Sequence, residues 1–256
     1  MPLGGTMLRS LYLSASNMLV QRKKVDVIAN NIANMDTVGF KSDSLLSRSF
    51  EDMYLERVND PSNTTGGVGP LNTGVHIDEL ITSFEEGSVK TTDRSLDFSI
   101  AGDGFFVVST TAGDRYTRDG NFTINNEGYL VTSDGNRVSG TNGFLKIDMT
   151  NVTVDSAGNI TNAEGTSLGT LRVVSFADKT GLKKAGNNLF LNENNQQAQT
   201  AQNAVIRQGS LETSNTDITS ETLNMMAASR SFETSQRIVK MIDETLGRAV
   251  NDIGKV

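Results

Sequence analysis

The sequence contains no cysteine and no tryptophan, only three prolines, and a single histidine among 256 residues. The absence of cysteine excludes thiol catalysis, cysteine-ligated zinc and any disulfide framework. Because His76 is the only histidine, every Ser-His-Asp arrangement and every multi-histidine metal site depends on it, and no motif of catalytic spacing lies nearby. We therefore predict that the chain is not an enzyme, that it holds no metal or other cofactor, and that His76 is a structural residue.

Long apolar runs are also missing. No stretch of 18 apolar residues is present, so we predict no membrane insertion. The fairly apolar residues 11–20 are interrupted by polar residues and are followed, not preceded, by a basic cluster, so we predict no cleaved signal peptide. The net charge of −7 argues against a nucleic-acid partner.

An apolar heptad repeat near the C-terminus is the strongest pattern in the sequence. Large apolar residues recur every seven positions, and a companion apolar position is interrupted by Glu221 and Ser235. Such a repeat is typical of a long helix in a coiled-coil-like contact. We predict that this seam takes part in subunit assembly through Ile218, Met225, Phe232, Val239, Ile242, Leu246 and Ile253.

The N-terminal residues carry a weaker seam of the same kind, which predicts a helix over about residues 7–34. Neither terminal helix can bury its stripe alone, so we predict that the two pair in coiled-coil fashion and contact other subunits. Ordinary packing of the two helices within one monomer is the alternative. The N-terminal seam consists of Leu8, Leu11, Ala15, Met18, Val25, Ala29 and Ile32.

Between the helices the pattern changes. Residues 45–58 have apolar residues at helical spacing, and a Gly- and Asn-rich loop follows them. From about residue 75, short apolar runs alternate with turn pairs such as Asp134-Gly135, as expected for strands joined by tight turns. The predicted fold class is therefore mixed α and β, with an all-β domain inserted between long terminal helices. The predicted domains are 1–44 (helix and Gly-Phe-Lys turn), 45–74 (short helix and linker), 75–209 (all-β) and 210–256 (heptad helix).

Four segments carry a family resemblance. Residues 29–41 read ANNIANMDTVGFK, residues 102–106 read GDGFF, residues 116–122 read YTRDGNF, and residues 211–217 read LETSNTD. In this order they resemble the signatures of the bacterial flagellar hook–basal-body rod family. The residues that match its terminal motifs are Asn30, Asn31, Asn34, Gly39, Phe40, Lys41, Ser214 and Asn215.

Within that family, the chain length and the single β module resemble the rod proteins of the FlgG and FlgF types. Residues 47–72 lie where distal-rod proteins carry an extra stretch, and this favours the FlgG type, with the FlgF type next. The resemblance implies a structural subunit that assembles through its terminal helices into a hollow helical tube, which transmits torque and serves as an export conduit. It implies copies of the same chain, other rod and hook proteins, and the flagellar export apparatus as partners. It places the protein in the basal-body rod, outside the cytoplasmic membrane.

The three asparagines of the N-terminal motif have two interpretations. Asn30, Asn31 and Asn34 either set the register of the helical layer through hydrogen bonds or simply end the helix. Two other functions also stay open for the chain as a whole. One is a secreted β-rich adhesin module with oligomerising helical ends, and the other is a hydrolase that uses His76.

Overall fold

The structure is a computed structural model that describes residues 3–55, 69–147, 152–201 and 203–253. Its described part contains two helices, α1 (Leu3–Ala33) and α2 (Ile218–Ile253), with a β-rich region between them. The mixed α and β composition with a central β region therefore agrees with the prediction.

The strands are short and follow one another closely along the chain. They are β1 (Asp43–Ser49), β2 (Met53–Leu55), β3 (Gly69–Leu71), β4 (Val75–Thr82), β5 (Val89–Thr91), β6 (Phe98–Ala101), β7 (Phe105–Thr110), β8 (Gly113–Thr117), β9 (Phe122–Ile124), β10 (Leu130–Thr132), β11 (Arg137–Gly140), β12 (Gly143–Phe144), β13 (Val152–Val154), β14 (Asn159–Asn162), β15 (Ser167–Thr170), β16 (Val173–Ser175), β17 (Leu182–Lys184), β18 (Leu189–Asn192), β19 (Gln199–Thr200), β20 (Val205–Gln208) and β21 (Ser210–Glu212).

The chain divides into two compact units. The helical unit contains α1, α2 and the strands β1 to β4, while the β unit contains residues 33–42 and the strands β5 to β21. Each unit therefore draws on segments that are far apart in the sequence.

The main sheet of the β unit is antiparallel and is built around β7. Its strand order is β17-β18-β8-β7-β11-β10-β9, with β16 also paired to β7, β19 to β16, and β12 to β11. Smaller sheets join β13-β14-β15, β20-β6 and β21-β5.

β7 separates two hydrophobic cores. Because successive side chains of a strand point to opposite faces, Phe106 and Val108 enter one core, while Phe105 and Val107 enter the other. All four are almost completely buried, which explains why this strand is a continuous apolar run.

The prediction of a short helix at residues 45–58 is wrong, because residues 43–49 and 53–55 are strands. β1 pairs with β4. A backbone hydrogen bond flanks the pair at each end, from the Ser83 amide to the Ser42 carbonyl (2.8 Å) and from the Phe50 amide to the Gly74 carbonyl (3.0 Å). Several serines weaken the helical propensity of this segment. Pairing with a strand about 30 residues away overrides its helical spacing.

α1 and α2 contact each other through polar side chains. The Asn17 amide donates to the Ser235 hydroxyl (2.8 Å), and the Asn31 amide donates to Glu221 Oε1 (3.1 Å). Since the contact moves towards the start of α2 as it moves towards the end of α1, the two helices run in opposite directions.

The prediction that these helices pair in coiled-coil fashion is wrong. A coiled coil interlocks apolar side chains along a seam, whereas the contacts above are hydrogen bonds. Among the described side chains of α1, the buried apolar residues are Val20 and Ile28, neither of which belongs to the predicted seam, and the seam residue Ala29 is exposed. Of the other predicted seam residues, Ile218 is 48% exposed, the side chains of Leu8 and Ile253 lie outside the described part, and the rest are half-buried: Leu11, Ala15, Met18, Val25, Ile32, Met225, Phe232, Val239, Ile242 and Leu246.

The position of β7 leads to a stability prediction. Phe106→Ala should lower the free energy of unfolding of the β unit by about 3–5 kcal/mol, because it leaves a cavity at a fully buried position. Phe144→Ala is the matched control, since Phe144 is 47% exposed, and it should cost less than about 1 kcal/mol. Urea unfolding followed by circular dichroism measures both, and equal losses would contradict the role assigned to β7.

Candidate functional site

Three sequence-distant segments of the β unit meet at one carboxylate. β21 places Glu212, β8 leads directly into Arg118, and the Gly-Phe-Lys turn of residues 39–41 provides Lys41. Lys41 Nζ lies 2.6 Å from Glu212 Oε1, and Arg118 Nη1 lies 3.2 Å from Glu212 Oε2. The three side chains are at most 2% exposed. We call these three residues the charge cluster.

Further hydrogen bonds surround the carboxylate and the lysine. The Gly87 amide donates to Glu212 Oε1 (3.0 Å), and Lys41 Nζ donates to the Glu85 carbonyl (2.5 Å). Buried charges are tolerated only when they are paired and hydrogen-bonded in this way.

Arg118 is held by backbone carbonyls and an aromatic ring. Its Nη1 donates to the Ile100 carbonyl (3.3 Å), its Nη2 donates to the Gly102 carbonyl (2.9 Å), and its guanidinium carbon lies 5.3 Å from the centre of the Phe105 ring. Its Nε is buried and has no hydrogen-bond partner in the described part of the chain. The guanidinium group thus links β6, β7 and β21.

Burial lowers the pKa of Lys41 below its ordinary value, because a charged ammonium group loses its hydration. The adjacent Glu212 carboxylate opposes this effect, and the Arg118 charge adds to it. The charge of Glu212 is therefore what keeps an ammonium group acceptable at this buried position.

The Gly-Phe-Lys turn itself is docked tightly on the β unit. Gly39 has φ = +66°, and a Cβ atom there would lie 2.5 Å from the Arg118 carbonyl carbon, so only glycine fits. The Gly39 amide donates to the Glu212 carbonyl (2.8 Å). Phe40 is buried under Lys184, whose Nζ lies 4.1 Å from the ring centre.

The C-terminal motif also holds the segment that follows the Gly-Phe-Lys turn. Asn215 Oδ1 accepts from the Ser42 amide (2.8 Å), and its Nδ2 donates to the Ser83 carbonyl (3.0 Å). Ser214 is buried, and its hydroxyl accepts from the Thr216 amide (3.2 Å). Asn215 thus connects two segments, at Ser42 and at Ser83, that are both far from it in the sequence.

The three motif asparagines have different environments. Asn31 is 1% exposed, and besides Glu221 it bonds both backbone groups of Asp43, accepting from the amide (2.9 Å) and donating to the carbonyl (2.8 Å). Asn30 is exposed, while Asn34 accepts from the Thr37 hydroxyl (3.2 Å) in the turn after α1. Asn31 thus connects the end of α1 both to α2 and to the start of β1.

Glu212 and Arg118 were missed as site residues, although both lie inside motifs singled out from the sequence. A lone charged residue beside a short strand ordinarily faces solvent. Local pattern contains no signal for their burial, because each becomes buried only through a partner about 90 residues or more away along the chain.

No group of three or more His, Cys, Asp or Glu residues suited to a metal ion occurs within the described ranges. The His76 ring packs against the Phe50 ring at 4.7 Å between centroids. Neither of the described helices is both long and apolar enough to cross a membrane.

The side chain of Asp119, next to Arg118, has a raised pKa. Burial raises its pKa to about 6, with a smaller contribution from the charges of Asp134 and Asp97, while a hydrogen bond from the Asn121 amide (2.9 Å) opposes the change. Its backbone amide lies 2.5 Å from where a Cβ on Gly39 would be, so it borders the docked turn.

Three family models match the chain, and together they cover the segments that form the site. They are described as "Flagella basal body rod protein" (residues 11–41), "Flagellar hook protein FlgE/F/G D1 domain" (residues 99–165) and "Flagellar basal body rod FlgEFG protein C-terminal" (residues 207–252).

Curated relatives match over nearly the full length. The flagellar basal-body rod protein FlgG of Bacillus subtilis is 37% identical, over 96% of this chain and 99% of the relative. The flagellar hook-basal body complex protein FlhO of Bacillus subtilis is 32% identical over 98% and 100%, respectively. The flagellar basal-body rod protein FlgF of Caulobacter vibrioides is 35% identical over 96% and 98%.

The charge cluster predicts a large effect of one isosteric substitution. Glu212→Gln should destabilise the β unit by roughly 3–5 kcal/mol, because it leaves Lys41 and Arg118 buried without a counter-charge. Glu193→Gln is the matched control, since Glu193 pairs with Lys183 at the surface, and it should change stability by about 0.5 kcal/mol or less. Chemical denaturation of both variants at neutral pH is the measurement, and a Glu212→Gln chain as stable as the control would disprove the assigned role.

Asp119 predicts a pH dependence. Because its pKa is raised to about 6 in the folded state, the folded chain binds more protons than the unfolded chain between about pH 4 and 6, so its contribution to stability falls as pH rises through this interval. Asp119→Asn keeps an acceptor for the Asn121 amide and removes the titration. The variant should match the wild type near pH 4 and exceed it by roughly 1–3 kcal/mol near pH 8. Denaturation midpoints at both pH values test this, and parallel pH profiles would refute it.

Proposed function

Because the chain belongs to the flagellar basal-body rod protein family, we propose that it is a structural subunit of the bacterial flagellar rod. It assembles through its terminal helices into a hollow helical tube that transmits torque and serves as an export conduit. The observation that carries this proposal is the long helix α2, which leaves large apolar side chains uncovered in the single chain.

The length of α2 makes this exposure substantial. Its 36 residues extend about 54 Å at 1.5 Å per residue. The predicted seam residues on it, from Met225 to Leu246, are only half-buried against their own chain. Each large apolar side chain that becomes covered by a neighbouring subunit stabilises the assembly by up to about 1.5–3 kcal/mol. Repetition of such contacts without ring closure generates a helical tube.

The FlgG relatives support the distal rod as the position of this subunit. The Bacillus subtilis FlgG relative matches at 37% identity over 96% of this chain. A FlgF protein also matches at 35% identity, so the FlgF type is the second candidate. The adhesin interpretation finds no support among these relatives.

The proposed partners are copies of this chain, other rod and hook proteins, and the flagellar export apparatus in transit. The proposed location is the basal-body rod outside the cytoplasmic membrane, reached by export without a cleaved signal peptide. Export through a narrow channel requires an unfolded chain, and the absence of cysteine removes the danger of disulfide formation before assembly.

The assembly role of the seam is open to a direct test. Phe232→Asp or Val239→Asp should leave the β unit folded but abolish polymerisation, because a charge cannot be buried against the helices of a neighbour. Gln236→Asp, at an exposed position of the same helix, is the control and should still polymerise. Circular dichroism reports the fold and electron microscopy the filaments, and normal filaments from Val239→Asp would contradict the proposal.

A further inference from the structure

Residues 205–215 form the last segment of the β unit and pair with its first two strands. We call this segment the clasp. Within it, β20 runs antiparallel to β6, and β21 runs antiparallel to β5, with Leu211 opposite Lys90. The hydroxyl groups of Ser99 and Ser210 share a buried hydrogen bond (2.8 Å) although the two residues are 111 positions apart in the sequence. The clasp therefore joins the two ends of the β unit.

Much of the chain between these ends is built from neighbouring strands. β9, β10 and β11 pair in chain order, and so do β13, β14 and β15. Three of their turns share one pattern, in which the Oδ1 atom of Asn125, Asp155 or Asn162 accepts from the amides two and four positions later (2.8–3.1 Å). Such hairpins form from residues that are close in the sequence and need neither end of the unit.

The clasp supplies parts of the interior that these hairpins lack. Ile206 is 5% exposed and belongs to the larger of the two hydrophobic cores. Gln208 Nε2 donates to the Ser95 carbonyl (2.8 Å) and to the Val152 carbonyl (2.7 Å). Its Oε1 accepts from the Val154 amide (3.0 Å). Gln208 thus connects β13 to the segment that precedes β6.

The clasp also carries the negative charge of the charge cluster. Lys41 lies near the start of the β unit, Arg118 lies in its middle, and Glu212 belongs to the clasp. A core that formed without the clasp would bury Lys41 and Arg118 with no carboxylate beside them, which is strongly unfavourable. Electrostatics and apolar burial therefore disfavour the same incomplete state.

We propose that the β unit has no stable core without the clasp, so that it can fold only when both of its ends are available. The hairpins alone do not replace the clasp, because they lack the side chain of Ile206, the three hydrogen bonds of Gln208 and the carboxylate of Glu212. Closing a connection of this length costs chain entropy, which is recovered only when all of these contacts form together.

This inference goes beyond the proposed function and has a consequence for it. A chain that is exported through a narrow channel has to stay unfolded until it leaves the channel. Because the Gly-Phe-Lys turn and the clasp lie at opposite ends of the β unit, the unit cannot close while either end is still inside. The same delay applies whichever end of the chain is exported first.

Native-state hydrogen exchange of the full chain tests the proposal. Mass spectrometry of peptic fragments, at a concentration at which the chain is monomeric, compares amide protection in β7 with that in β20 and β21. Protection factors that agree within about tenfold are expected, because opening the clasp then opens the core as well. Protection of β20 and β21 that is weaker than that of β7 by more than this factor would show that the core survives without the clasp, and the inference would be overturned.

A variant in the clasp provides a second test. Gln208→Ala should lower the protection of β7 by about tenfold or more, together with that of β20, since three hydrogen bonds of the clasp are lost. Gln197→Ala, at an exposed position before β19, is the control and should leave both unchanged. A loss of protection confined to the clasp and to β5 and β6 would contradict the proposal. If Gln208→Ala does not fold, as judged by circular dichroism, the wild-type comparison decides alone.

The outcomes separate this inference from the proposed function, because the exchange measurements use single chains. A clasp that exchanges independently of β7 overturns the inference and leaves the rod function standing. A wild-type chain that forms no polymer at any concentration contradicts the proposed function and leaves the inference standing.

Discussion

Burying the Glu212 carboxylate costs several kcal/mol, and the β unit offsets that cost with cations from two other parts of the chain. Lys41 comes from the turn after α1 and Arg118 from the end of β8, so the carboxylate ties three segments that would otherwise be independent. An apolar trio could be as stable, but it would accept many alternative arrangements. The paired charges accept only the one in which both cations reach the carboxylate, and this orders the Gly-Phe-Lys turn as well.

Polar residues play the corresponding part in the helical unit. Asn17 and Asn31 are 14 residues apart in α1, and their partners Ser235 and Glu221 are also 14 residues apart in α2. Glu221 and Ser235 are the two positions that interrupt the apolar repeat of α2. What looks like a defect in the repeat is therefore the pair of contacts that sets the alignment of the two helices, at some cost in apolar burial.

The extent of α2 was predictable because its heptad repeat is local and spans the whole helix, with interruptions only at the companion position. The β-rich character of the middle was predictable from the alternation of apolar runs and turn pairs. The short helix at residues 45–58 was predicted wrongly because pairing with β4 depends on residues about 30 positions away. The coiled-coil pairing was predicted wrongly because the apolar repeat of α1 does not coincide with the face on which Val20, Ile28 and Asn31 lie. The charge cluster could not be predicted from local sequence, because Glu212 becomes buried only through Lys41 and Arg118, which are far from it along the chain.

The bond between the Gly39 amide and the Glu212 carbonyl means that the segment just after α1 lies directly beside the segment just before α2. The backbone between these two residues therefore forms one long excursion that returns to the point where it began. Such an excursion could be enlarged, shortened or exchanged during evolution without displacing its two ends. Diversity in this kind of protein can therefore accumulate in the strands, while the entry and exit segments stay constant.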